Sequence, residues 1–315
     1  MTQPHKDNPL IGMACAATAY FMLSTMMVFS KLLSQSHSVI EVSFYRNLIA
    51  FLPLAVYVFA LGHRDIIKIK SSPKMLVARG VFGTFGMLLT FGAFSLLPLA
   101  EATVLLFSSS LFLPILSWIF LKEAVSRARW AAIAVGMVGV IIMARPTGDM
   151  NLLGIGVALS AAFMHGVLGT ILRHLGKSEG PLTVTFYFML IGALLSSLPM
   201  PVMASPVTMN DTALIIGLGL TGLAGQVFLS AAFRYAPASL VTVFNYTGLI
   251  WATFFGWWIW NDWPSVPVFI GGGIVIGANV FILLREKYLH QRLRARERLE
   301  AEEEERQRKQ EEALS

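Results

Sequence analysis

The chain has 315 residues, of which 56% are hydrophobic and only 13% charged. A soluble domain carries about 25% charge, so the composition excludes an ordinary water-soluble globule and points to an all-α polytopic membrane protein. Nine of the 18 acidic residues lie after Leu284, and nine basic residues lie there too, so the net charge of +6 belongs to the apolar part.

Along that part, ten apolar stretches of about 20 residues, enough to cross ~30 Å of hydrocarbon, alternate with short polar breaks. They run near 10–33, 38–61, 75–97, 101–121, 128–144, 152–174, 182–204, 212–234, 238–260 and 266–284. The first is long enough to span and is followed at once by others, so it reads as a span and not as a removable signal peptide. It holds Cys15, the sole cysteine. One cysteine excludes an intramolecular disulfide framework and a cysteine-based zinc site, and Cys15 reads as a small packing residue.

The second span, "FYRNLIAF", carries Arg46 roughly 10 Å along the helix at 1.5 Å per residue. An ionisable group at the bilayer centre costs about 2.5–3.5 kcal/mol on insertion scales, which makes it a functional candidate by default. A permanent guanidinium suits a carboxylate or phosphate by bidentate hydrogen bonding; the structural alternative is an ion pair with Glu41 or Glu101. Gly83 and Gly86 in the third span, like Gly222 and Gly225 in the eighth, suit close helix approach. Glu101 follows Pro98 near the outer surface. Ser108 to Ser110 read as interhelical hydrogen bonds, and Gly136, Gly139 and Gly271 to Gly273 as packing.

His165 stands halfway along span six, as a proton-coupling group or as a neutral ring held by a hydrogen bond. Gln226, Asn245, Tyr246 and Trp251 follow at comparable depths. The amides can read a ligand's polar edge and the aromatic rings can stack on a planar one. The expected substrate-binding set is therefore Arg46, His165, Gln226, Asn245, Tyr246 and Trp251. "WWIWNDW", from Trp257 to Trp263, reads as an interfacial belt.

Lysine and arginine set orientation. With the N-terminus in the cytoplasm, the inner loops carry Arg64, Lys68, Lys70, Lys74 and Arg79; Lys122, Arg127 and Arg129; Arg173 and Lys177; and Arg234. The links around Pro98, Thr208 and Asp262 carry none. Both termini are expected to be cytoplasmic, in the cytoplasmic (inner) membrane. The tail after Leu284 reads as a solvated helix laced with ion pairs.

The chain also repeats itself. Gly12, Ala19, Phe21 and Met22 match Gly154, Ala161, Phe163 and Met164 at constant spacing; Phe44-Tyr45 and Leu48-Ile49 match Phe186-Tyr187 and Leu190-Ile191. After a three-residue slip, Gly83, Gly86, Pro98 and Trp118 match Gly222, Gly225, Pro237 and Trp257. Phe188 stands where the first half has Arg46. Five spans per half is an odd number, so the second copy enters from the opposite side. Inverted repeats are a recurring design of secondary transporters, with substrate held near the midplane between them. The expected division is 1–146 for the first repeat, 147–284 for the second and 285–315 for a cytoplasmic charged tail.

"FYRNLIAF" and the run from Arg79 to Pro146 resemble the drug/metabolite transporter superfamily, specifically its EamA type with ten helices as five plus five. Where that family has Leu-Gly-Glu, this chain has Leu121-Lys122-Glu123. "LPLAEAT" is most similar to the branch that includes riboflavin and S-adenosylmethionine importers; other members export amino acids and related metabolites. The resemblance implies transport of a small metabolite in the lipid bilayer, and a homodimer contact through spans five and ten. No motif for a cofactor or for nucleic acid accompanies it. A membrane-embedded enzyme is the rival class, but it needs clustered catalytic groups, and the six histidines are scattered.

Overall fold

Ser38 and Glu41 show how the sequence starts a helix. The Ser38 hydroxyl accepts from the Glu41 N–H at 3.3 Å, and the Glu41 carboxylate accepts from the Ser38 N–H at 2.7 Å. Two of the first-turn donors are thus satisfied before the apolar run begins. Thr208 and Asp211 repeat the arrangement at another helix start, with bonds of 3.2 and 2.9 Å. A third start uses the Asn151 side chain, which accepts from Gly154 N–H at 3.2 Å. Asn261 marks an end: its φ of 56° is left-handed, and its N–H turns back to the Gly256 and Trp257 carbonyls, a conformation asparagine tolerates better than most residues.

The computed structural model describes residues 9–70, 72–109, 111–112, 115–116, 119, 127–144, 151–175, 179–235, 241, 244–282, 284–285 and 288. Among the described residues, ten helices of more than one α-turn have both ends defined: α1 (Pro9–Leu33), α2 (Val39–Phe59), α3 (Pro73–Leu96), α4 (Leu99–Phe107), α5 (Arg127–Ala144), α6 (Leu152–Leu175), α7 (Pro181–Ser197), α8 (Met209–Tyr235), α9 (Thr247–Trp260) and α10 (Val266–Ile282). No strand occurs among the described residues. α1, α2, α3, α6 and α8 each contain a stretch long and apolar enough to cross a membrane; α5, α7 and α10 are shorter apolar helices. Leu52, Val56 and Phe59 on α2, and Val135, Val138 and Ile141 on α5, point outward. An apolar exterior matches hydrocarbon, as a polar one would match water.

α1 packs chiefly on α8, and α3 on α6; α2 lies against α7 and α8, and α3 against α7. Glycines permit these approaches. A Cβ at Gly80 would stand 2.6 Å from Ile191, and one at Gly219 would run into Ile49. Gly86 lies against Met164 and Gly225 against Leu23, at 3.0 and 2.7 Å from an added Cβ. Gly139 and Gly271 bring the backbones of α5 and α10 together within the chain. Cys15 is a free thiol packed with Ala16, Ala232 and Val241.

Two expectations need correction, those for the seventh span and for Arg79. The seventh span, expected to reach 204, ends as α7 at Ser197; after Pro199 comes a single turn, Met200–Met203, and then extended chain. Prolines 199 and 201 cannot donate to a continuing helix. The ninth span, expected from 238, is helical at Val241, Phe244 and Asn245, turns at Tyr246 and continues as α9 from Thr247, its other residues before Phe244 lying outside the described ones. The fourth, expected to 121, is helical as α4 to Phe107 and again at the described positions 109, 111–112, 115–116 and 119, and its expected end lies outside the described residues. Arg79, assigned to an inner loop, stands seven residues into α3 with Nε and Nη1 buried. Pro237, Trp118, Ser110, the Leu121-Lys122-Glu123 motif and the tail beyond Tyr288 lie outside the described residues.

Candidate substrate site

α2 delivers Arg46 to the middle of the bundle, where it is only 2% exposed. Its Nη1 donates to the Asn47 side-chain oxygen at 2.9 Å, and its Cζ stands 5.4 Å from the centre of the Phe188 ring. The ring has a second cation: Arg79 of α3 places its Cζ at 4.3 Å. Counted from its helix start, each arginine lies roughly 9–10 Å in at 1.5 Å per residue. Consecutive helices that cross a membrane run in opposite directions, so the two arginines stand on helices that begin at opposite ends of the bundle.

Glycine makes the space. A Cβ at Gly83 would collide with the Arg79 guanidinium and sit 2.8 Å from Phe188; one at Gly222 would sit 3.2 Å from Arg46 Nε. Neither arginine joins an ion pair among the described residues. Nε of Arg46, and Nε and Nη1 of Arg79, are buried without a hydrogen-bond partner, as is Asn47 Nδ2.

Magnitudes show what this arrangement lacks. Both Cζ atoms flank one ring, so the charges are at most about 10 Å apart, where like charges repel by roughly 1.7 kcal/mol at an effective dielectric of about 20. Stacking a desolvated cation on an aromatic face returns about 2 kcal/mol. The ring offsets the repulsion. It leaves the several kcal/mol of desolvation per ion unmet.

His165, on α6, is half-buried and stands beside this pair, within electrostatic reach of Arg79. The Thr90 hydroxyl donates to the Gly86 carbonyl at 2.8 Å, so at 3.1 Å from His165 Nε2 its oxygen accepts. That fixes the proton on Nε2. Among the described residues no carboxylate pairs with His165. Gln226 is half-buried on α8, four residues beyond Gly222 and hence on the same face.

The other expected residues form a second group. Trp251 stacks edge-on against Phe21 at 4.8 Å and Tyr246 against Phe107 at 5.4 Å, with Asn279 beside the Tyr246 hydroxyl. Asn245 is half-buried next to them. This aromatic group belongs to the cluster of α1, α4 and α9, whereas Phe188 packs with Met26, Met87 and Phe91. Met27 touches both. The six expected residues thus fall into a cationic group, with Arg46 and His165, and an aromatic group, with Tyr246 and Trp251. Ser108 donates to the carbonyl of Leu105 at 2.6 Å, a bond within its own helix and not between helices.

Sequence reasoning missed two features. Arg79 looked like one more basic residue of a polar break, although Leu76 and Gly80 on either side are buried. The second is a polar cluster where the starts of α2 and α8 meet. His37 Nδ1 lies 2.9 Å from Ser205 Oγ and 3.4 Å from Glu41, and its Nε2 lies 3.4 Å from Asp211. Glu41 also accepts from the Ser205 N–H at 2.7 Å and hydroxyl at 2.6 Å. The capping signals of Ser38 and Thr208 announce both carboxylates; that they share His37 is not legible from spacing. Glu41 therefore has its own partners and is no counterion for Arg46.

Comparison with known proteins puts this arrangement in context. The chain is 28% identical to the pseudopaline exporter CntI of Pseudomonas aeruginosa, over 88% of this chain and 97% of that one. It is 30% identical to an S-adenosylmethionine uptake transporter of Rickettsia bellii, covering 82% and 89%, and 28% identical to human solute carrier family 35 member G1, covering 89% and 80%. A solved crystal structure aligns with a TM-score of 0.59 at 18% identity, over 89% of this chain and 97% of that one, which supports the fold alone. The model of the EamA-like transporter family matches residues 10–145 and again 152–284. The chain is a membrane transporter and belongs to the EamA-like family of the drug/metabolite transporter superfamily.

Proposed function

We infer that the protein moves a small metabolite across the cytoplasmic membrane by alternating access between two inverted five-helix halves, 1–146 and 147–284. The observation that carries this reading is a set of reciprocal contacts. Gly80 packs on Ile191 while Gly219 packs on Ile49, and Gly83 packs on Phe188 while Gly222 packs on Arg46. Each partner in one contact is the repeat-mate of a partner in the other. Reciprocal contacts of this kind are what a two-fold axis between the halves produces, and a rocking motion about that axis exposes one site to either side.

Both termini are cytoplasmic in this reading, and residues 285–315 form a cytoplasmic tail. The site is built from Arg46, His165 and Gln226 on one flank and Asn245, Tyr246 and Trp251 on the other, so it holds an anionic or planar group. Relatives include an uptake transporter and an exporter, and the gradients across the membrane set the direction. α5 and α10 carry outward apolar residues such as Ile141 and Phe269, which suits a homodimer contact.

Proteoliposomes offered a soluble metabolite extract, read by mass spectrometry against empty liposomes, test the reading. One metabolite accumulates with wild-type protein, and less with Arg46→Ala. Folded protein that accumulates nothing, with or without an imposed pH gradient and from either side, would sink it.

A further inference from the structure

Arg79 is absent from the site expected of the sequence, yet it shares the Phe188 ring with Arg46. Three buried N–H-bearing nitrogens of the pair have no partner, and Arg46 is 2% exposed. The two acids at the starts of α2 and α8 are occupied. Glu41 is held by Ser38 and Ser205, and Asp211 by Thr208 and His37. His165 donates from Nε2 to Thr90 and brings no negative charge. Two cations, Arg46 buried and Arg79 half-buried with Nε and Nη1 enclosed, have no counterion among the described residues and pack against Gly83 and Gly222, an arrangement that calls for negative charge from outside.

Resting on the transporter reading above, we propose that Arg46 and Arg79 form a two-point site for a small anion carrying two negative charges, a dicarboxylate or a phosphate ester. One guanidinium takes each charged end, or both clamp a single phosphate group, with donors in the fork geometry that such oxygens accept. Charge count is the selecting quantity. A monoanion leaves one cation uncompensated, a zwitterion cancels nothing, and a cation adds to the repulsion. Phe188 separates the two points and excludes water between them. Because the arginines stand on helices that begin at opposite ends of the bundle, an anion leaving toward either side parts from one guanidinium last.

Purified full-length protein in lipid nanodiscs provides the test, with succinate and glycerol 3-phosphate as probes and acetate, glutamine and S-adenosylmethionine as controls. At least one dianion is expected to raise Tm and bind saturably, and the comparison of the two separates a dicarboxylate site from a phosphate site. Arg79→Met is expected to abolish that shift and, without ligand, to melt higher than wild type, because it removes one of the two like charges that flank Phe188. A merely structural arginine stacked on Phe188 gives the opposite, a lower Tm. Arg79→Lys keeps the charge but loses the fork, and binds about tenfold more weakly.

If Arg79→Met melts lower and leaves ligand shifts intact, the site is overturned; it is equally overturned if S-adenosylmethionine or glutamine shifts Tm and neither dianion does. Transport separates the two readings. Dianions that bind but never cross proteoliposomes uphold the site and defeat the transporter reading. Accumulation of a metabolite without two negative charges, with no dianion binding, does the reverse.

Discussion

Glu41 and Arg46 stand five residues apart on α2, and each is 2% exposed, but they have been buried on opposite terms. The Glu41 oxygens accept from the Ser38 and Ser205 backbones and the Ser205 hydroxyl, with His37 alongside. Arg46 has a neutral amide and an aromatic ring, and its Nε bonds to nothing among the described residues. A buried carboxylate with a full set of donors locks two helix starts together. A buried guanidinium left short of acceptors is, in the function proposed above, held for the substrate. Equal burial says little; hydrogen-bond satisfaction separates structure from function.

The largest test of this contrast is at Arg46. Arg46→Ala should lower transport by about ten- to a hundredfold, the loss of one charge-assisted hydrogen-bonding group at roughly 1.5–3 kcal/mol, while the folded protein stays at least as heat-stable. A marked fall in Tm with transport intact would reverse the assignment. Glu41→Ala should do the opposite. It strands the Ser38 and Ser205 donors at about 1–3 kcal/mol each, so Tm falls in a thermal melt while the substrate KM of surviving protein is unchanged.

Smaller effects sharpen the symmetry argument. Gly80→Leu and Gly219→Leu each push a side chain into the repeat-mate of the other's neighbour, Ile191 or Ile49. Overpacking costs about 1–3 kcal/mol, so the two variants should show matched losses of Tm, and strongly unequal losses would count against the shared axis. The smallest effect is expected at the exposed link after α2. Lys68 donates to Asp65 at 2.6 Å, which holds that carboxyl below its usual range. Both groups are fully in water, where such pairs contribute little. Asp65→Asn should change neither the proteoliposome uptake rate nor Tm measurably.

Composition, span spacing and the duplicated glycines made the helical membrane fold and its family legible, because hydrocarbon demands continuous apolar helices and close helix approach demands small residues. Caps at Ser38 and Thr208 were equally local: three residues decide them. Arg46 and His165 stood out because an ionisable group in an apolar run is costly wherever the run goes. Other features depend on contacts between distant segments. Arg79 looked like a surface cation until α7 set Phe188 against it, and Glu41 looked like a partner for Arg46 until the start of α8 brought Ser205 and Asp211 to His37. Sequence alone determined which residues are expensive to bury, since that is a property of each side chain in its own helix. Tertiary structure alone decided which of those costs are met inside the chain, since a counter-charge more than 100 residues away has no local signature.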